Sequence, residues 1–149
     1  MSAFLNLFSF PKKREVRKRD ASNHKREKLK TTVEKLNALI KQGKIRDAFE
    51  KYYREDVVIQ LNGSPPLAGK EANGLKEMGF LQEIKGINSS DIKSVTFGGI
   101  ENDVSMTEWG INIQNPQGEQ KTIYRVNVQH WKDNKIFNEK LYLFGAQKF

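Results

Sequence analysis

His130-Trp-Lys-Asp-Asn-Lys-Ile-Phe-Asn-Glu-Lys-Leu-Tyr-Leu-Phe144 reads as a β-hairpin, and the rest of the chain is interpreted from it. Asp133-Asn134 separates two alternating runs, and this dipeptide tolerates the positive φ that a two-residue loop demands. With that loop, Lys132 faces Lys135 and Trp131 faces Ile136. The ladder continues through Gln129 with Asn138, Asn127 with Lys140, and Arg125 with Tyr142. The other face then carries His130 with Phe137, Val128 with Glu139, Val126 with Leu141, and Tyr124 with Leu143. That face is apolar apart from one histidine and one glutamate, so the pattern assigns it to the core.

Working back from the hairpin, strands are predicted at about 91–100, 103–113, 121–132 and 135–144. They are separated by Glu101-Asn102, Asn115-Pro-Gln-Gly118 and Asp133-Asn134. Their length suggests a strongly bent antiparallel sheet, with Gly98, Gly99 and Gly110 as bend positions. A four-residue loop at 115–118 places Trp109 opposite Tyr124 and Thr107 opposite Val126 on the core side, with Glu108 and Arg125 outside. The core faces of the two hairpins then coincide.

The N-terminal half is helical in pattern. A helix capped by Asp20 or Ser22 runs to about Gln42, with Leu29, Val33, Leu36, Leu39 and Ile40 on one face and Gly43 as its stop. A second helix, about Lys44 to Tyr53, collects Ile45, Ala48, Phe49 and Tyr52. Val57-Val-Ile-Gln-Leu61 is a short strand ended by Asn62-Gly-Ser-Pro-Pro. Gly69 to about Ile84 is a third helix with Leu75, Met78, Leu81 and Ile84 inward. Three helices followed by a long curved sheet is an α+β order.

The 149 residues suit one domain. Residues 1–20 read as a basic, flexible arm and 21–149 as the folded domain. Ten Lys and Arg between positions 11 and 30 face only Glu15, Asp20 and Glu27, so nearly all of the +8 net charge belongs to that region. The apolar patch Phe4–Phe10 precedes these charges and is too short to span a membrane. The arm can be an import-like cluster, a weak polyanion contact, an anionic-membrane anchor or a solvated extension. No aromatic interleaves its basic residues, which argues against base stacking. Cysteine is absent, excluding a disulfide, a thiol nucleophile and a thiolate metal site. A cytoplasmic location fits, or a nuclear one if the arm is an import signal.

Three stretches carry a resemblance. Ala48-Phe-Glu-Lys-Tyr-Tyr-Arg-Glu-Asp-Val-Val58, Leu67-Ala-Gly-Lys-Glu-Ala72 and Trp131-Lys-Asp-Asn-Lys-Ile-Phe-Asn-Glu139 resemble the SnoaL-like proteins of the nuclear transport factor 2-like superfamily. Asn134 stands where that family usually has glycine, which a type I′ turn permits. The resemblance covers about residues 31–149. It implies a conical α+β barrel, helices packed in a strongly curved antiparallel sheet around a pocket, and frequent homodimers. It does not imply an activity, because the fold hosts isomerases, dehydratases, cyclases and transport factors. Positions matching the acid–base groups of the ketosteroid-isomerase-like members hold Leu36, Leu61 and either Asn127 or Val128, none of which supplies the required group.

What remains for chemistry is His130 with Glu139, a diagonal pair on the expected core face that could act as base and orienter. A polar pair that only satisfies itself is the competing interpretation. Trp109, Tyr124, Val126, Val128, Phe137 and Leu141 are expected to line the pocket, with Trp109 and Tyr124 as an aromatic wall. No metal site is expected from two histidines, one of them in the arm, and no cofactor fingerprint appears. The expected ligand is a small apolar organic molecule. The expected function is binding of that molecule in an apolar pocket; the alternatives are an isomerase, dehydratase or cyclase using His130 and Glu139, and an interaction module acting through the basic arm. The outer sheet face is expected to join a homodimer through Met106, Ile123, Trp131, Ile136, Tyr142 and Phe144, mixed with Glu108, Arg125 and Lys140.

Overall fold

The computed structural model describes residues 13–83 and 86–145. The Phe4–Phe10 patch and Ile84 therefore lie outside the described residues, as do the side chains of Met78 and Leu81. The elements are α1 (Lys13–Lys41), α2 (Ile45–Tyr52), β1 (Tyr53–Leu61), β2 (Leu67–Ala68), α3 (Lys70–Glu83), β3 (Gly86–Gly98), β4 (Val104–Gln114), β5 (Gln120–Lys132) and β6 (Lys135–Phe144). Six strands form one curved, open sheet in the order β2-β1-β6-β5-β4-β3. Every pairing is antiparallel except β1 with β6. This is the expected α+β cone.

Helix α1 begins at Lys13, earlier than the cap expected at Asp20 or Ser22. Residues 13–28 are exposed throughout, and burial starts only at Leu29, Val33 and Leu36. Gly43, at φ +74°, ends the helix: its N–H reaches Ile40 O at 2.9 Å, and Lys44 N–H reaches Leu39 O at 2.9 Å. That bond pair satisfies two carbonyls that a helix end would otherwise leave free.

Helix α2 passes directly into β1, so Tyr53 is the first residue of a strand rather than the last of a helix. Its side chain is thereby aimed into the cone. Lys70 ties the start of α3 to this junction. Its buried Nζ donates to Glu50 O at 2.9 Å and pairs with the Glu50 and Glu55 carboxylates at 3.1 and 3.2 Å. Burial alone would lower the Lys70 pKa, but the two carboxylates outweigh it and the net shift is upward. Leu75 on α3, expected inward, is 69% exposed.

The decisive departure lies in the final hairpin. Asp133 and Asn134 adopt φ of +53° and +61°, the two-residue turn expected from their identities. Lys132 pairs with Lys135 and Trp131 with Ile136, as expected, but His130 then pairs with Asn138. Phe137 is an extra residue, a β-bulge, and beyond it every facing pair moves by one. The β4–β5 loop is also one residue longer than expected. Gln114 pairs with Gln120, and Asn115 closes the loop through both its amide and backbone onto Glu119.

Both hairpins are therefore displaced by one residue. Trp109 faces Arg125, Thr107 faces Asn127 and Gln129 faces Glu139. On β6 the inward set Glu139, Leu141 and Leu143 stands as expected. On β5 the faces are exchanged. Ile123, Arg125, Asn127, Gln129 and Trp131 point inward, whereas Tyr124, Val126, Val128 and His130 point outward. Trp131 and Ile136, expected outside, are 5% and 0% exposed and pack with Val33, Leu36, Tyr52 and Val57. A second cluster joins Trp109, Ile111, Ile113 and Ile123. Burying an aliphatic side chain of this size contributes about 1.5–3 kcal/mol. The bulge is favoured because it buries Ile136 and Trp131 together. Bends in β3 fall near residues 88 and 93 rather than at the glycines.

Candidate functional site: a cavity ending in a buried carboxylate

The inner ends of β1, β5 and β6 bring four polar side chains together inside the cone. Glu139 is 2% exposed. Its Oε1 accepts from Asn127 Nδ2 at 2.7 Å and Gln129 Nε2 at 2.8 Å, while Tyr53 O–H approaches Oε2 at 2.9 Å and Oε1 at 3.0 Å. Gln129 Nε2 also reaches the Tyr53 hydroxyl at 3.3 Å. Behind this group, Ser105 Oγ donates to Gln129 Oε1 at 3.2 Å, and Trp131 Nε1 donates to Ser105 Oγ at 2.9 Å. The chain of bonds leaves Gln129 no freedom to turn its amide. Ser105, Gln129, Asn127 and Glu139 alternate with outward residues on three adjacent strands, so the pleat itself delivers them to one face.

Burial pushes the Glu139 carboxyl above its ordinary range. The hydrogen bonds from Asn127 and Gln129, the Arg125 charge and the Tyr53 bond oppose that shift without cancelling it. Burial, followed by the charge and hydrogen bond of Glu139, drives the Tyr53 hydroxyl well above its ordinary value. Tyr53 is therefore a donor to the carboxylate, not a base.

This group closes one end of a cavity of about 160 Å³. The walls are apolar: Leu36, Ile40, Ala48 and Phe49 from the helices, Ile59 and Leu61 from β1, and Ile111, Ile123, Leu141 and Leu143 from the sheet. Asn73, Lys76 and Glu77 of α3 also line it, and the exposure of Lys76 marks the side open to solvent. Arg125, Asn127 and Ser90 contribute further polar atoms. Cavities of about 150 Å³ admit a benzene-sized guest.

Of the residues expected to form the site, the structure places Glu139 and Leu141 on the cavity. Trp109 points inward but is packed into the second core cluster rather than along the cavity. Tyr124, Val126 and Val128 stand on the opposite face of the sheet, for the register reason given above. Phe137, at the bulge, is 36% exposed and packs edge-on against His130 with ring centroids 6.2 Å apart. His130 and Glu139 are therefore on opposite faces, and the pair does not assemble. Leu36, Leu61 and Asn127, the positions matched to the ketosteroid-isomerase-like groups, all line the cavity. None of them titrates.

Tyr53, Arg125, Asn127 and Gln129 went unrecognised in the sequence. The run Arg125-x-Asn127-x-Gln129 looks like a solvated face. Its flanks, Ile123 and Trp131 at the same two-residue period, are the signal that the stripe belongs inside. Among the described residues no group of three His, Cys, Asp or Glu is placed to hold a metal ion. No helix among them is long and apolar enough to cross a membrane.

No family model matches the chain. No curated protein matches it either. Solved structures do. A Mesorhizobium loti protein named for SnoaL-like polyketide cyclases is 21% identical, with a TM-score of 0.58 over 75% of this chain and 96% of its own. A Bacillus subtilis protein named as an isomerase is 19% identical, with a TM-score of 0.65 over 80% of this chain and 88% of its own. A nuclear transport factor 2-like protein of unknown function from Burkholderia pseudomallei reaches 0.67 at 10% identity, over 79% and 92%. At these identities the likeness establishes the fold.

Proposed function

We propose that this chain, which has the nuclear transport factor 2-like fold, binds a small, largely apolar organic molecule inside the cone. The carrying observation is a cavity of about 160 Å³ with largely apolar walls, an inner polar end built from Glu139, Asn127 and Arg125, and a polar rim from α3. A few convergent polar groups in an otherwise apolar concavity fix a ligand's orientation while the walls supply its binding energy. Titrating the protein with small aromatic alcohols tests this. Shifts confined to Ile111, Ile123 and Leu141 support it. Their loss when Leu141→Trp fills the space supports it further.

A second reading is favoured by Glu139 alone. A buried carboxyl pushed upward by its surroundings and bordering a cavity is suited to take and return a proton. Isomerase, dehydratase or cyclase chemistry would then use Glu139 as the base, positioned by Tyr53, Asn127 and Gln129. His130, on the outer face, has no part in it. The names of the Mesorhizobium loti and Bacillus subtilis proteins accord with that class. Glu139→Gln separates the readings, since it would abolish turnover while leaving ligand binding in place.

The outer sheet face suits a homodimer. Met106, Tyr124, Tyr142 and Phe144 are 37–56% exposed and surround the half-buried Val126 and Val128. Ile123, Trp131, Ile136 and Arg125 are not part of this face. We propose a weak polyanion contact for the basic arm, residues 1–20, of which residues 13–20 lie exposed on α1.

A further inference from the structure

Two atoms at the polar end of the cavity are buried without a partner: Arg125 Nε and Asn127 Oδ1. The Glu139 carboxylate, the Tyr53 hydroxyl and the Gln129 amide beside them all have partners. Asn127 spends its amide N–H on Glu139, so its carbonyl oxygen is left with two unused lone pairs. The Arg125 guanidinium has no carboxylate within ion-pair distance among the described residues. Glu139 acts on it through charge but makes no ion-pair contact with it.

A guanidinium N–H buried without an acceptor is costly, and so is a buried carbonyl without a donor. The guanidinium calls for an anionic acceptor, and a carboxylate matches its planar fork. Asn127 Oδ1 calls for an O–H or N–H donor. The two residues are neighbours on the inner face of β5, about 6.7 Å apart along the strand. One small molecule can therefore meet both.

We propose that the molecule held in the cavity is a small hydroxy acid with an apolar remainder, its carboxylate on Arg125 and its hydroxyl donating to Asn127 Oδ1. This rests on the cavity reading above and narrows it to a chemical class. A phosphate ester fits less well, since its second charge would lie near Glu139. A neutral ketone or alcohol would accept from Arg125 Nε but bring no charge to match the guanidinium.

The experiment compares three probes of one size on the unaltered chain: mandelate, phenylacetate, which lacks the hydroxyl, and 1-phenylethane-1,2-diol, which lacks the charge. Binding is followed by the amide shifts of Ile111, Ile123 and Leu141. Mandelate should bind about tenfold more tightly than phenylacetate and at least about tenfold more tightly than the diol. Arg125→Gln should erase the preference for mandelate over the diol, while Arg125→Lys should keep part of it. A diol that binds as well as mandelate overturns the acid assignment and leaves the cavity reading standing. Persistence of the acid preference in a folded Arg125→Gln protein also overturns it. Absence of cavity shifts with all three probes overturns both. The probe comparison needs no variant, so a variant that fails to fold does not blunt the test.

Discussion

Gln129 and Glu139 face one another across the β5–β6 ladder, and their side chains meet at 2.8 Å inside the cone. They share that face only because Phe137 is extruded as a bulge between them and the turn. In an unbroken ladder Gln129 would sit with Asn138 on one face, and Glu139 on the other with Val128. One inserted residue thus gives the buried carboxylate its donors.

The carboxyl's environment has a pH consequence. A group whose folded pKa lies above its unfolded value binds its proton more tightly in the native state, so stability falls as pH rises between the two values. For Glu139 the window opens near its ordinary carboxyl range, around 4.5, and extends upward. Glu139→Gln removes that dependence while keeping an acceptor for Asn127 and Gln129. Urea denaturation should show the variant gaining on the unaltered protein between pH 4 and pH 7. A variant that loses ground over that range would mean that the native Glu139 pKa is depressed instead.

Tyr53→Phe removes the donor to Glu139 Oε2 and leaves that oxygen in a closed space. The cost should be about 1–3 kcal/mol, the usual penalty for an orphaned buried polar group. Equilibrium unfolding near pH 7 measures it, and a loss below 0.5 kcal/mol would show that water reaches the carboxylate freely.

The bulge makes an unusual deletion tolerable. Removing Phe137 leaves Asn138 opposite His130 and keeps Glu139 opposite Gln129, so the inward set on β6 is unchanged. The shortened chain should fold cooperatively with Trp131 still buried, as read by its fluorescence maximum. Removing Lys140 instead shifts Leu141 and Leu143 to the wrong face and should prevent folding. Equal tolerance of both deletions would contradict the register.

Most of the architecture could be read from residue identity. Gly43 after an apolar helical stripe, Asp133-Asn134 between alternating runs, and the order of helices and strands led to the correct α+β cone. The site was half legible. Glu139 stood out as an acid among Phe137, Leu141 and Leu143, and its inward placement survives. The β5 half was misassigned because each hairpin gained one residue that alternation cannot reveal, at Phe137 and in the loop ending at Glu119. Two equal displacements preserve mutual agreement, so the matching of the two apolar faces did not test either register. Tyr53 was missed for another reason: α2 passes into β1 without a turn residue to mark the boundary.

The outer face of the sheet should bury itself against a second copy. Tyr124 and Val126 lie at its centre, between Gly110 and Phe144 and between Glu108 and Tyr142. Light scattering at micromolar concentration should give twice the 17.2 kDa chain mass, and Val126→Glu should halve it without changing the circular dichroism. A monomer mass for the unaltered chain would remove the interface.

Residues 13–20 are helical and exposed throughout, so a chain beginning at Ala21 should keep its Tm within about 4 °C. Any salt-sensitive retention on heparin should weaken, because residues 1–20 carry a net +4, half of the +8 of the chain. Loss of cooperative unfolding would instead show that the removed segment docks on the domain.

The most direct test of the ligand-binding cone is a titration of the unaltered protein and of Leu141→Trp with mandelate, followed by amide chemical shifts. The expected result is saturable movement of Ile111, Ile123, Asn127 and Leu141 in the unaltered protein, absent from the folded variant. Movement confined to the outer face at Tyr124, Val126 and Val128, or no saturable movement at all, would contradict a ligand site inside the cone.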